Sequence, residues 1–388
     1  MILNTTDQAD VTIVGDVMPG RNVAKSLQRV GRDEAARRLW GLLGGRVVVG
    51  NLECALSDAP PGADAKPDGS PNLHAPCSTA DWLRRAGFSV MALANNHVMD
   101  CGRDGLEHTI AALNRAGIAA VGAGRDLAEA VRPVIASRGG RQIALLAFGN
   151  GPAAKRRAAG VAPFSSDALA IALSQVPASA DAVVVMVHVG LEFLEYPESH
   201  LRQFADEALD SGADVVVGSH PHCVRGVERT GRGVILYSIG DFLADTSDED
   251  LLARHLTRTA MTHLGFDPSG VRFCRQALAC DIFLADRGRV ECCLRSVVAG
   301  DDFLPRFATR DEHREIVERI RRLSRPLRDP DSPEMLRVQQ IEKAYRQAYG
   351  RGRKLKDWLT LPFRLRPRHA AGIMERLARV VGVSWERP

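Results

Sequence analysis

The chain has no unbroken apolar run of the roughly 18 residues that a membrane-crossing helix needs, which argues against a membrane span. Its opening residues, MILNTTD, lack the basic and apolar regions of a secretory signal, so a cytoplasmic location is expected. No CxxC pair occurs among the 8 cysteines, at 54, 77, 101, 223, 274, 280, 292 and 293. That scatter excludes a regular disulfide framework and suits reduced, mostly buried thiols. Cys101 and Cys223 abut polar motif loops, while adjacent Cys292 and Cys293 lie in an expected strand and so face opposite ways. No internal repeat is evident. Strong net charge is also missing: the balance is only +4 over 388 residues. The excess is local, since residues 351–388 carry ten Lys/Arg against three Asp/Glu, together with Trp358, Phe363 and Trp385. A helical cap or a peptide-docking surface suits this balance better than a nucleic-acid interface, so nucleic acid is not an expected partner.

What is present is a soluble globular composition, 45% hydrophobic and 25% charged, on a chain long enough to bury a large core. The most informative segment is Gly218-Ser219-His220-Pro221-His222, which follows the apolar run Asp214-Val215-Val216-Val217. Two imidazoles at i and i+2 beyond the C-terminal end of a strand can face one point, where open α/β sheets place ligands. Neutral imidazole is a common metal ligand.

Four more polar clusters follow apolar runs. Val11-Thr12-Ile13-Val14 leads into Gly15-Asp16-Val17-Met18, and Val47-Val48-Val49 into Gly50-Asn51-Leu52-Glu53. Val90-Met91-Ala92-Leu93 leads into Ala94-Asn95-Asn96-His97, with Asp100 behind, and Val183 to Val187 leads into His188. Short β-branched runs of this kind read as buried parallel strands. Strand-end turns favour Asp and Asn for local reasons, which explains one such cluster but not five. The expectation is a metal site at one sheet edge.

The ordered motifs GDVM, NLE, ANNHVMDCG, HVGLE, GSHPH and YSIGDF resemble the CapA family of bacterial capsule-synthesis proteins, a branch of the calcineurin-like metallophosphatases. The resemblance runs from about Val11 to near Leu323. It implies an α/β, calcineurin-like metallophosphatase fold, a layered β-sandwich flanked by helices. It also implies a site for divalent metal ions, two in number, with Mn, Zn, Fe, Ca and Mg not distinguished. Its ligands would be Asp16, Glu53, Asn96, His188, His220 and His222, with His97 as the acid that protonates a leaving group.

Three departures stand out. Met18 occupies the histidine position of the usual Asp-x-His, and a thioether is a poor ligand for hard or borderline ions. Val189 stands where relatives tend to carry Trp. Asp241 replaces the usual Asn and adds a carboxylate, either as an acid/base group beside His97 and Asp16 or as a solvated turn residue capping the next helix. Arg21 is a candidate clamp for an anionic substrate group. Glu192 and Asp100 are candidates to orient histidines, and His74 lies in a loop that could reach substrate.

Helical apolar spacing marks segments 32–43, 79–86, 106–116, 165–175 and 197–211. Strands are expected at 233–238, 277–285 and 289–298, the last two as a hairpin through 286–289. A catalytic domain at 8–325 and a basic, mainly helical extension at 326–388 follow, with a helix near 333–350. Loops 58–72 and 149–160 could border substrate. Oligomeric state cannot be read from the sequence. Three functions fit: a peptide epimerase, as in the soluble lasso-peptide branch that this chain resembles; a dinuclear phosphoesterase; and a polyglutamate or capsule assembly factor. The absent anchor, the room at Val189 and the basic extension favour the first, acting on a peptide or an anionic small molecule.

Overall fold

The computed structural model describes residues 8–43, 47–59, 72–246, 273–285 and 290–349. Most of loop 58–72, the hairpin turn at 286–289, His255, His263, His369 and the basic segment 351–388 therefore lie outside the described residues.

Two sheets face each other. The first runs Pro305–Phe307, Val290–Ala299, Gln276–Leu284, Val11–Val17, Val47–Leu52, Val90–Ala92, Ala119–Val121. Its last four strands are mutually parallel. The second runs Val227–Arg229, Val234–Leu236, Val215–Ser219, Ala182–His188, Arg141–Gly149, Val134–Arg138, with a parallel centre and antiparallel edges. This is the helix-flanked, layered α/β sandwich expected from the sequence.

Alternation along the second sheet separates its two faces. Leu145, Ala147, Val184, Met186, Val215 and Val217 join the large core shared with the first sheet. Their neighbours Leu146, Phe148, Val185, Val187 and Val216 pack under helices Ser166–Leu173 and Ser199–Asp210. Each such fully buried aliphatic side chain contributes about 1.5–3 kcal/mol of hydrophobic stabilisation. The strands are β-branched on both faces because both faces are covered.

All five helices expected from spacing form, at Arg32–Leu43, Thr79–Arg85, Gly102–Arg115, Ser166–Leu173 and Ser199–Asp210. Helix Gly102–Arg115 begins one turn earlier than its apolar pattern, because the preceding Asp100 loop already fixes its start. Helix Arg21–Val30 was not foreseen: Gly20 precedes it without a side-chain cap, so no start signal stands in the sequence. The strand Arg141–Gly149 was likewise missed, since a short continuous apolar run does not distinguish strand from helix. Helix Pro333–Tyr349 forms where the sequence places one and packs Val338 and Ile341 on Leu194. Among the described residues no helix is long and apolar enough to cross a membrane.

Candidate metal centre

The polar residues do not line one sheet edge, as the sequence suggested; they come from the facing ends of two sheets. Asp16, Asn51, Glu53 and Asn96 belong to the ends of first-sheet strands, and His188, His220 and His222 to those of the second. Local pattern reveals a strand end but not which sheet the strand joins. Bare backbone lets the ends converge: a Cβ on Gly149 would meet the Ala94 carbonyl oxygen at 1.7 Å. Both histidines of the HxH segment have positive φ, 94° at His220 and 56° at His222, a conformation costing on the order of 1–3 kcal/mol per residue. In an extended strand residues i and i+2 would share a face; in this turned segment the two rings still lie close, with centroids 5.9 Å apart. Phe193 N–H donates to Pro221 O at 2.9 Å and the Phe193 ring lies against His222, bracing the loop.

One cluster centres on His188 Nε2, which lies 2.8 Å from Asn96 Oδ1, 3.1 Å from His220 Nδ1 and 3.3 Å from Glu53 Oε1. The other ring nitrogen faces Ser219 Oγ at 3.0 Å and Asp16 Oδ1 at 3.4 Å, so the ring's orientation is fixed from behind. Asn51 donates to Asp16 Oδ1 at 2.7 Å and is itself held through Asn95, whose amide donates to Asn51 Oδ1 at 3.2 Å. Sequence reading gave Asn51, Asn95 and Ser219 no role. Their signal was only adjacency to a candidate ligand position.

The second cluster brings Asp16, His222 and Asp241 together. His222 Nδ1 lies 2.9 Å from Asp241 Oδ1 and 3.8 Å from Asp16 Oδ2. Its Nε2 turns to Glu192 Oε1 at 4.0 Å. Asp241 is the first residue of strand Asp241–Leu243 and 3% exposed, so it is not the solvated helix cap considered above. Strand pairing to Val11–Val17 buries it instead.

His97 stands at the edge of the first cluster. Its Nδ1 is 2.6 Å from Asp100 Oδ2, which also accepts Leu73 N–H at 2.7 Å, and its Nε2 is 3.9 Å from Glu53 Oε1. Asn95 Oδ1 accepts the backbone N–H groups of His97 and Val98 and so shapes this turn. Arg21 is not a free clamp: its guanidinium is committed to the buried Asp245, which also accepts Asn22 N–H. His74 is exposed, on a short strand paired with the segment after Glu53, and is not among the converging groups. Cys223 is fully buried and Cys101 half-buried; neither belongs to either cluster.

The donor set fits divalent metal. With bonds near 2.0–2.3 Å, ligand atoms sharing one ion lie roughly 3–3.6 Å apart, close to the separations found in both clusters. Glu53 Oε2, Asn96 Nδ2 and Glu192 Oε1 are buried without a hydrogen-bond partner. Three buried carboxylates, Asp16, Glu53 and Asp241, and Glu192, whose side chain is 7% exposed, need compensating positive charge. The histidines supply part of it. Against the effect of burial, Glu53 and Asp16 raise His188 to about 9, and Asp241, Glu53 and Glu192 hold His222 well above its ordinary value. Burial and the neighbouring imidazoles push His220 well down. Despite burial, His188 and His222 keep the Asp16 carboxyl low. Burial raises Asp241, and it raises Glu192 to about 7.

The model of the "Bacterial capsule synthesis protein PGA_cap" family matches residues 10–246. "Capsule biosynthesis protein CapA" of Bacillus anthracis is 31% identical over 280 residues, 69% of this chain and 68% of that protein. "PGA biosynthesis protein CapA" of Bacillus subtilis is 32% identical over 263 residues, 65% of this chain and 69% of that protein. Among solved structures, a novel phosphatase of Mycoplasma pneumoniae (13% identity, TM-score 0.43) covers 76% of this chain and 95% of its own. A putative 5'-nucleotidase of Staphylococcus aureus (13% identity, TM-score 0.42) covers 80% and 58%. On the family match and the Bacillus relatives, this chain belongs to the bacterial capsule-synthesis PGA_cap family.

Proposed function

We propose that this chain is a metal-dependent phosphoesterase in which His97 is the general acid. The observation that carries the reading is the His97–Asp100 dyad at the rim of the buried donor cluster, Nδ1 on Asp100 and Nε2 toward Glu53. Asp16, Glu53, Asn96, His188, His220 and His222 would hold divalent metal, which when bound polarises a substrate oxygen and acidifies water. The chain's own contribution is proton delivery. Asp100 stabilises the protonated ring from its Nδ1 side, and Nε2–H is given to the departing oxygen as the P–O bond breaks and water supplies the new oxygen. Asn51 and Ser219 keep His188 and Asp16 in place throughout.

A second reading is the peptide epimerase. It is favoured by the number of buried acids: besides the His97 pair, Asp241 and Glu192 sit at His222, so two separate groups could remove and return a Cα proton. The relatives' names, capsule and PGA biosynthesis, favour a third, assembly of a glutamate polymer rich in carboxylates.

Steady-state assays of p-nitrophenyl phosphate and bis(p-nitrophenyl) phosphate with Mn²⁺-loaded protein test the first reading. Hydrolysis lost in His188→Ala and depressed in His97→Gln is expected; no hydrolysis of either ester by metal-replete protein would sink it. Deuterium uptake at the terminal Cα of a candidate peptide in D2O would instead establish the second.

A further inference from the structure

We propose that Asp241 is a metal ligand that takes the place Met18 leaves open, giving one metal position two carboxylates with a single imidazole and the other a balanced set of two oxygens and two imidazoles. The inference rests on the metal-binding part of the reading above and not on the phosphoesterase chemistry. Met18 cannot serve: it is 4% exposed and packed in the apolar core between the sheets.

Backbone pairing puts Asp241 in the open place. One edge of strand Val11–Val17 is shared: strand Gln276–Leu284 pairs with it from Val11 to Val14, and strand Asp241–Leu243 takes over with Asp16 opposite Asp241. The approach is tight, since a Cβ on Gly15 would meet the Gly240 carbonyl oxygen at 1.8 Å. Register partners in a parallel pair project to the same face, so the two carboxylates stand side by side. Asp16, Asp241 and His222 then offer two oxygens and a ring nitrogen within 4.8 Å of one another. The Thr246 hydroxyl donates to Asp241 Oδ2, which leaves Oδ1 toward His222 Nδ1. The far nitrogen of His222 faces Glu192 Oε1 across 4.0 Å, beyond hydrogen-bonding distance.

The two positions therefore differ in chemistry. Asp16, Asp241 and His222 form a set suited to a hard ion such as Mn²⁺, Mg²⁺ or Ca²⁺. Glu53, Asn96, His188 and His220 suit a borderline ion such as Zn²⁺ or Fe²⁺.

The test counts metal on the full-length protein. Wild type, Asp241→Asn and Thr246→Val are loaded with Mn²⁺, freed of excess, and analysed by plasma mass spectrometry and electron paramagnetic resonance. Expected are about two Mn²⁺ per wild-type chain with a spin-coupled signal, and one uncoupled Mn²⁺ in Asp241→Asn. Thr246→Val, which keeps the carboxylate but loosens it, should bind the second ion at least several-fold more weakly. Should Asp241→Asn fail to fold, the Thr246→Val affinity decides. Two ions held with unchanged affinity in the variants overturn the assignment. So does a wild type that never holds more than one ion. Metal content is independent of turnover, so loss of ester hydrolysis alone leaves this result standing.

Discussion

Arg225 and Glu198 form an ion pair sealed from solvent, with Nη1 2.9 Å from Oε2 and side chains 0% and 1% exposed. The same guanidinium donates to Leu194 O at 2.7 Å and Leu191 O at 3.1 Å. It thereby ties down the loop that brings Glu192 and Phe193 to His222. Removing one partner of a buried pair leaves an uncompensated charge, costing about 3–5 kcal/mol. Arg225→Met should lower the unfolding free energy from urea denaturation by that amount and weaken metal binding; a loss under about 1 kcal/mol would show that the pair does not hold the loop.

Metal binding should be coupled to proton release. His188, raised to about 9, and His222, held despite burial well above its ordinary value by Asp241, Glu53 and Glu192, carry protons at pH 7 in the metal-free chain, whereas imidazole must be neutral to ligate. Affinity for Mn²⁺ should therefore rise as pH increases from 6 toward 9. Titration in two buffers of different ionisation enthalpy should report on the order of one to two protons released per chain at pH 7. Proton uptake, or none at all, would contradict the charge assignment of this site.

Chelation should destabilise the fold. A ligand present at about 100 times its dissociation constant adds roughly 2.7 kcal/mol to the native state. Calorimetric melting with and without a chelator should show a drop of several degrees in wild type and little change in His220→Ala. Equal drops in both would mean that the metal acts elsewhere.

His97→Gln separates acid catalysis from metal binding. The His97 ring approaches Glu53 at 3.9 Å, longer than the separations around His188 Nε2, so the ion count should stay at the wild-type value. Removing a general acid costs about 10²–10⁴-fold in kcat, with the larger loss expected for substrates whose leaving group is an alkoxide. A variant that loses metal along with activity would make His97 a ligand and not an acid.

Glu342 ties helix Pro333–Tyr349 to helix Ser199–Asp210. Its carboxylate accepts Ser199 N–H at 3.1 Å and Ser199 Oγ–H at 2.7 Å, and faces His200 Nδ1 at 3.1 Å. It thus caps the start of helix Ser199–Asp210 from outside that helix. Glu342→Ala should cost about 1–3 kcal/mol by leaving these groups unsatisfied. A cooperative, unshifted denaturation curve would show that the contact is dispensable.

The sequence by itself determined the building blocks. Runs of Val and Ile ending in Asp, Asn, Glu or His specify buried strands with polar tips, because alternation and β-branching are local properties of the chain. The 3.6-residue spacing of Leu and Ala placed five helices, and Asp, Glu, Asn and His at the strand ends, among them Asp16, Glu53, Asn96, His188, His220 and His222, pointed to a metal-binding chemistry. Tertiary structure alone decided which strand ends meet. Nothing local tells that Val47–Leu52 and Val215–Ser219 belong to different sheets, or that a strand beginning at Asp241 displaces Gln276–Leu284 beside Asp16. Nor does it tell that Arg21 is claimed by Asp245 or that Asn51 bridges Asp16 and His188. Those relationships join residues 35 to 225 positions apart, and they are fixed by core packing and edge pairing, whose free energy exists only once the whole chain has closed.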